Sequence, residues 1–192
     1  MTIEKPLRAD ARRNREAIVA AAREVFVAGR FFDMRFDDLA GLAGVGTGTL
    51  YRNFPTREAL AEAVYRSEIA TMSDHARRLG ATRPADEALA VFLRDMVDHI
   101  DAHQGLARTL ATLMSAGSRE RNTSGHELED AVAELVAKGI AEGSLRDDID
   151  AGAVLMALHG IGAAHARPGW RAEADGVVTL VVDGLRRGTA SP

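Results

Sequence analysis

Between residues 36 and 65 apolar side chains recur three and four positions apart, and two short polar, glycine-rich stretches interrupt them. Phe36, Leu39, Ala40 and Ala43 fall on one face of a helix expected over about 36–43. Asp37 and Asp38 lie in its first turn, where carboxylates suit the helix dipole. Gly44 ends it by taking the left-handed conformation, and Val45 anchors the turn in the core. A second helix starts near Gly46 or Thr47, with the small hydroxyl residue as its cap, and turns Leu50 inward beside Val45 and Leu39. Thr47, Thr49, Tyr51, Arg52 and Asn53 are left outside. Phe54 precedes a proline and is pushed out of the helical region. Thr56 then caps a longer helix carrying Leu60, Ala63, Val64 and Tyr65 on one face. Two short helices about a glycine turn, followed at once by a longer one, have the shape of a helix-turn-helix, whose second helix enters the major groove of DNA.

The remaining pattern is helical throughout. A first helix is expected from about Ala9 to Gly29, with Ile18, Ala22, Val25 and Phe26 as its buried stripe, and the fourth from about Arg57 to Leu79. Gly80 to Pro84 separates it from a stripe of Ala88, Val91, Phe92, Asp95, Met96 and His99. Leu106, Leu110, Leu113 and Met114 supply another. A polar break over 117–123 is followed by Ser124 and Glu127, spaced as a capping box, and then by Leu128, Val132, Leu135, Val136 and Ile140. Asp150 caps a helix with Val154, Leu155, Leu158 and Ile161 inside. Past Pro168 and Gly169 the last stripe is Val177, Leu180, Val181 and Leu185. The pattern predicts an all-α chain of about nine helices: a three-helix head over 9–56, a helical body over 57–187 and a disordered tail over 188–192.

Composition agrees with a helical class, at 46% hydrophobic residues and five prolines. Cysteine is absent, so disulfides and thiolate metal sites are excluded, as suits a reducing cytoplasm. No apolar run reaches membrane-spanning length and no apolar signal core follows the amino-terminal arginines, so a cytoplasmic location without a membrane partner is expected. The net charge of −4 opposes nucleic-acid binding at first sight, but its distribution does not. Residues 1–60 hold ten basic and eight acidic side chains and the rest fourteen and twenty, a weakly basic head on an acidic body. Lys5, Arg8, Arg12, Arg13 and Arg15 concentrate beside the helix-turn-helix, within reach of phosphate.

The segments RRNREAIVAAAREVF, from Arg12 to Phe26, and DDLAGLAGVGTGTLYRNFPTREAL, from Asp37 to Leu60, resemble the TetR-type family of one-component transcriptional regulators. The resemblance is close over the first 65 residues or so, and the helical remainder fits it. It implies a homodimer that binds palindromic double-stranded DNA, most simply a repressor released by an unidentified small-molecule effector, with no enzymatic activity and no cofactor. It carries DNA contact onto Thr47, Gly48, Thr49, Tyr51 and Asn53. Tyr51 and Asn53 are expected to position phosphate, Thr47 and Thr49 to meet base edges or a thymine methyl, and Gly48 to allow close approach. The chain departs from the pattern where Arg30 replaces a glycine and where Met34 and Arg35 replace a leading hydroxyl residue. Met34 cannot cap, which leaves Asp33 for that role and makes Arg35 a candidate long phosphate contact.

The resemblance also implies an effector pocket in the body, for which Phe92, Met96, His99, Leu110, Met114, His159 and Trp170 are candidates, although each such residue is more often simple core. The last two helices form the expected dimerisation pair. Gly160, Gly162, Ala163 and Ala164 permit close approach, and Leu155, Leu158, Gly162, Val177, Val181 and Leu185 are the candidate contacts. Two other classes stay open. One is a helical protein-binding adaptor. The other is a metal-dependent enzyme, because Asp95, His99 and His103 fall one helical turn apart and together offer carboxylate, imidazole and imidazole.

Overall fold

A computed structural model describes residues 4–104, 106 and 122–187 of the 192-residue chain, with side chains from residue 9 onward and, in the last stretch, from His126. Leu110, Leu113, Met114, the expected break from 117 as far as 121 and the tail from 188 lie outside the described residues, as do the side chains of Lys5, Arg8 and Ser124. The described residues form eight helices: α1 (Glu4–Val27), α2 (Asp38–Leu42), α3 (Thr47–Asn53), α4 (Arg57–Thr82), α5 (Ala85–Ala102), α6 (Asn122–Glu142), α7 (Ala151–Ala163) and α8 (Trp170–Leu185). None of them is long and apolar enough to cross a membrane.

The chain forms two compact units, and α4 supplies residues to both. The first contains α1, α2, α3 and α4 as far as Ser67, with Leu106 buried in its core. The expected stripe of α1 is present in full: Ile18, Ala22, Val25 and Phe26 are buried, and Phe26 meets Phe31 edge-on at 4.1 Å between ring centroids. From the other side come Leu39, Leu50, Phe54, Leu60 and Val64. α1 begins at Glu4, earlier than the expected Ala9, and stops at Val27 because Gly29 turns left-handed, at φ 67°.

In the second unit α5 packs against α6, α7 and α8. Phe92, Leu93 and Val97 on α5 meet Leu135, Val154 and Val178 in one continuous core. The ends of its helices are stitched by side chains. Lys138 donates to the carbonyls of Gly80 (2.5 Å) and Arg83 (3.0 Å) at the end of α4, and Glu142 accepts from the Ala85 N–H at 2.9 Å at the start of α5. Asp150 caps α7 as expected, Oδ1 accepting from the Ala153 N–H at 3.1 Å.

Two expectations are corrected in this unit. α6 has begun by Asn122, so Ser124 lies inside the helix and not at its cap. On α8 the buried stripe is Trp170, Ala174, Val178, Val182 and Leu185, and Leu180 is 74% exposed. Apolar residues occupy two adjacent faces of this helix. Trp170 and Ala174 at its start decide which face turns inward, placing Val178 and Val182 below and Val177 and Leu180 outside.

Candidate nucleic-acid interface

The turn between α2 and α3 is fixed by its backbone. The Gly44 N–H donates to Gly41 O at 3.2 Å and the Val45 N–H to Ala40 O at 2.9 Å. This pair of bonds is a Schellman motif, which needs a left-handed residue just past the helix, and Gly44 supplies it at φ 65°. Val45 turns back half-buried onto the core, where Leu39 and Leu50 hold the two helices together.

Neither short helix uses the cap expected of it. α2 starts at Asp38, two residues later than the apolar pattern suggests, and the side chain of its cap residue Asp37 makes no capping bond to the helix backbone. Its entry is a run of tight backbone bonds instead, from Asp38 to Arg35, Leu39 to Phe36 and Ala40 to Asp37, which take the place of the cap expected of Asp33. In α3 the cap residue is Gly46, whose carbonyl accepts from Thr49 at 2.9 Å and Leu50 at 3.1 Å. Thr47 is the first helical residue and is exposed, so its hydroxyl faces outward.

Along α3 the candidate contacts fall on one accessible side. Thr47, Gly48 and Arg52 are exposed, Tyr51 is 45% exposed, and Thr49 and Asn53 are half-buried. A β-carbon at Gly48 would meet nothing within 4 Å, so the backbone is open to approach there. The side chains are ordered by one another: Arg52 donates to the Thr49 hydroxyl at 3.1 Å, and the Asn53 amide donates to Thr49 O at 2.8 Å. Arg15 brings a further cation to the end of the helix, 4.4 Å over the Phe54 ring and 3.4 Å from Asn53 O. A guanidinium there complements the negative end of the helix dipole.

Tyr51 is exposed but already has a partner for its hydroxyl. Its hydroxyl donates to Asp37 Oδ1 at 2.7 Å, so a phosphate at Tyr51 has to exchange with a carboxylate. That hydrogen bond, helped by partial burial and by the charge of Asp37, holds the phenol above its usual pKa, while Arg57 and Arg35 pull it down. Arg35 is thus an exposed cation close enough to act on Tyr51. The Tyr51 ring also meets Phe36 edge-on at 5.4 Å.

Arg57 escaped the sequence reading. It donates to Phe31 O at 2.6 Å and to Met34 O, and its guanidinium lies 5.2 Å from the Phe31 centroid and 5.7 Å from that of Phe36. The available signal was its position, because a cation in the first turn of a helix opposes the dipole and needs another reason to be there.

The described body candidates stand in different surroundings. Phe92 is fully buried, and Trp170 is buried with its indole N–H donating to Ile161 O at 2.6 Å. Met96 is half-buried, His159 is exposed, and Leu110 and Met114 lie outside the described residues. His99 lines a groove of about 470 Å³ between α4 and α5, with Thr71, Met72, His75, Arg78, Asp95 and Asp98. Among the dimerisation candidates Leu155, Leu158 and Leu185 are buried in their own subunit, Gly162 and Val181 are half-buried and Val177 is exposed.

The metal-site alternative is corrected by the structure. α5 ends at Ala102, so His103 is not on the helix that carries Asp95 and His99. Asp95 pairs with His75 at 2.7 Å, His99 with Glu68 at 3.1 Å, and His103 with Arg23 at 3.3 Å. Among the described residues no three His, Cys, Asp or Glu side chains are grouped to hold a metal ion.

Comparison with known proteins agrees with this arrangement. Residues 18–64 match the family described as bacterial regulatory proteins, tetR family, and residues 83–187 match the C-terminal domain described as transcriptional regulator SbtR-like. A TetR transcriptional regulator of Streptomyces coelicolor is 39% identical, over 91% of this chain and 99% of that one, with a TM-score of 0.70. A TetR transcription regulatory protein from Mycobacterium vanbaalenii is 34% identical, over 95% of this chain and 100% of that one, at 0.69. The regulator FadR of Bacillus subtilis, crystallised with stearoyl-CoA, shares the fold at 18% identity and a TM-score of 0.66, over 88% of this chain and 98% of that one. A comparison with curated proteins found no match. With a glycine-turned helix-turn-helix ahead of a helical body, and with both parts matched, this chain belongs to the TetR family of bacterial DNA-binding transcriptional regulators.

Proposed function

We propose that the chain acts as a homodimeric repressor, that its two α3 helices read a palindromic operator, and that a small molecule bound in the body releases it. The observation that carries the reading is the accessible side of α3, where hydroxyl, amide and guanidinium groups stand together over an open backbone at Gly48. Such groups hold phosphate and meet base edges, with Thr47 and Thr49 as the residues that face bases, Tyr51, Asn53 and Arg35 as phosphate contacts, and Arg52 joining them.

A dimer supplies the second recognition helix, about 34 Å away along the duplex. The outward faces of α7 and α8 suit that contact. Met156 (76% exposed), Leu180 and Val177 stand there, with Gly160 exposed on the same side of α7 as Met156. Their exposure supports Met156, Val177 and Leu180 as the dimer contact in preference to Leu155, Leu158 and Leu185, whose side chains are already used. In the body, the groove beside His99 is the place for an effector with polar groups. A molecule that prefers one conformation of the body shifts the population away from the DNA-binding form by linkage.

Sedimentation of the protein with a duplex selected by it tests the reading. Two chains per duplex are expected, and Leu180→Glu should leave the chain folded but monomeric and weaken DNA binding. One chain per duplex, or an unchanged dimer in the Leu180→Glu variant, contradicts the proposed assembly.

A further inference from the structure

We propose that Arg57 is a positioning residue for the recognition helix: it pins the uncapped entry of α2 and, through the Phe36 ring, sets the orientation of Tyr51. The inference rests on the reading of α3 as the helix that meets DNA, and its geometry lies wholly within the first compact unit.

The entry of α2 lacks a side-chain cap, and Met34 stands where a hydroxyl residue would make one. What the structure has instead is a cation acting from the other side. The guanidinium of Arg57 donates to the carbonyls of Phe31 and Met34 through two different nitrogens held apart in one rigid plane, where a lysine would have to reach both carbonyls from a single nitrogen on a shorter side chain. The loop from Phe31 to Met34 is therefore fastened to the first turn of α4. The same guanidinium sits over the rings of Phe31 and Phe36, at 5.2 and 5.7 Å. Phe36 in turn meets Tyr51 at 5.4 Å with the rings 77° apart, and Tyr51 is held at its far end by Asp37. The contacts run from Arg57 to Phe36, to Tyr51, to Asp37, and return along the backbone to Phe36.

This arrangement separates two roles that an arginine near DNA can have. A guanidinium that contacts phosphate points outward and contributes to counterion release. Arg57 is half-buried and each of its terminal nitrogens donates to a loop carbonyl, so its effect on DNA passes through Tyr51.

The test compares wild type, Arg57→Lys and Arg57→Ala as full-length chains. Each is titrated against the duplex most enriched by the wild-type protein from a random pool, at several salt concentrations, after thermal melting confirms folding. In parallel, fluorine NMR of fluorotyrosine-labelled free protein follows Tyr51. Only two tyrosines are present, and Tyr51→Phe assigns the resonance. Both Arg57 variants should lose roughly tenfold or more in affinity with an unchanged dependence on salt, since the charge was never at a phosphate. The Tyr51 resonance should move in the absence of DNA, in Arg57→Lys as well as in Arg57→Ala.

A salt slope shallower by about 0.9, with an unmoved Tyr51 resonance, would show a direct phosphate contact and overturn the proposal. Full affinity in Arg57→Lys would overturn it too, because a point charge would then suffice. If wild type enriches no duplex, the DNA reading fails by itself, and the free-protein resonance still decides whether Arg57 positions Tyr51.

Discussion

Tyr51 shows how one side chain can face two partners. In the free chain its hydroxyl donates to Asp37, and that bond favours the protonated phenol. A group whose pKa rises on folding contributes stability that is fully present below the unfolded value and is lost as pH rises through the folded value. Absorbance titration should therefore find one of the two tyrosines ionising above the ordinary range, and Tyr51→Phe should remove that transition while leaving the other. A single transition at the ordinary value would mean that the Asp37 bond is not made in solution. Against DNA, Tyr51→Phe should weaken binding by about 0.5–1.5 kcal/mol at matched salt, the net worth of a hydrogen bond, and unchanged affinity would remove Tyr51 from the contact set. The exposed positions of α3 were legible in the sequence because the apolar period leaves them no other face. The partners of those positions were not. Asp37 reads as a dipole-favouring carboxylate, and nothing local marks Arg57 as the residue that fastens the loop carrying Phe31, Met34 and Phe36.

At the scale of elements, glycines mark where helices stop or touch, for two different physical reasons. At Gly44 a β-carbon would have open space but the wrong backbone, at φ 65°. At Gly139 the backbone is helical, but a β-carbon would run into Leu145 Cδ1 and stand 3.2 Å from its Cβ. Gly44→Ala should cost about 1–2 kcal/mol through the left-handed penalty alone. Gly139→Ala should also destabilise, because overpacking of about 1–3 kcal/mol outweighs a helix-propensity gain of about 1 kcal/mol. Urea unfolding followed by helical circular dichroism measures both, and a stabilised Gly139→Ala would show that Leu145 repacks freely. The first of these glycines was legible, since a glycine followed by an apolar residue after a helical run is a sequence signature of the turn. The second was not, because nothing local links residue 139 to residue 145's side chain. The same limit explains α8. Its sequence supports two apolar faces, and only the packing of Trp170 and Ala174 selects Val178 and Val182 over Val177 and Leu180.

For the molecule as a whole, the apolar face left outside on α7 and α8 and the polar side of α3 belong to one account. A single short helix in one major groove recognises few base pairs, and pairing two chains doubles the site and imposes its symmetry. Net charge of −4 does not oppose this, because affinity for phosphate depends on where the cations stand, and Arg12, Arg15, Arg35 and Arg52 are exposed in the first unit. The all-helical class and the helix-turn-helix followed from periodicity. The supposed metal face did not survive, because a spacing of one turn has meaning only while the helix continues, and α5 ends before His103.

The central claim is specific recognition of duplex DNA by a pair of α3 helices. Selection of bound duplexes from a random pool by the wild-type protein at physiological salt tests it most directly. An enriched palindrome is expected, with half-sites about one helical turn apart, centre to centre, or a multiple of that. Enrichment of a single unpaired half-site, or of no sequence at all, would contradict it.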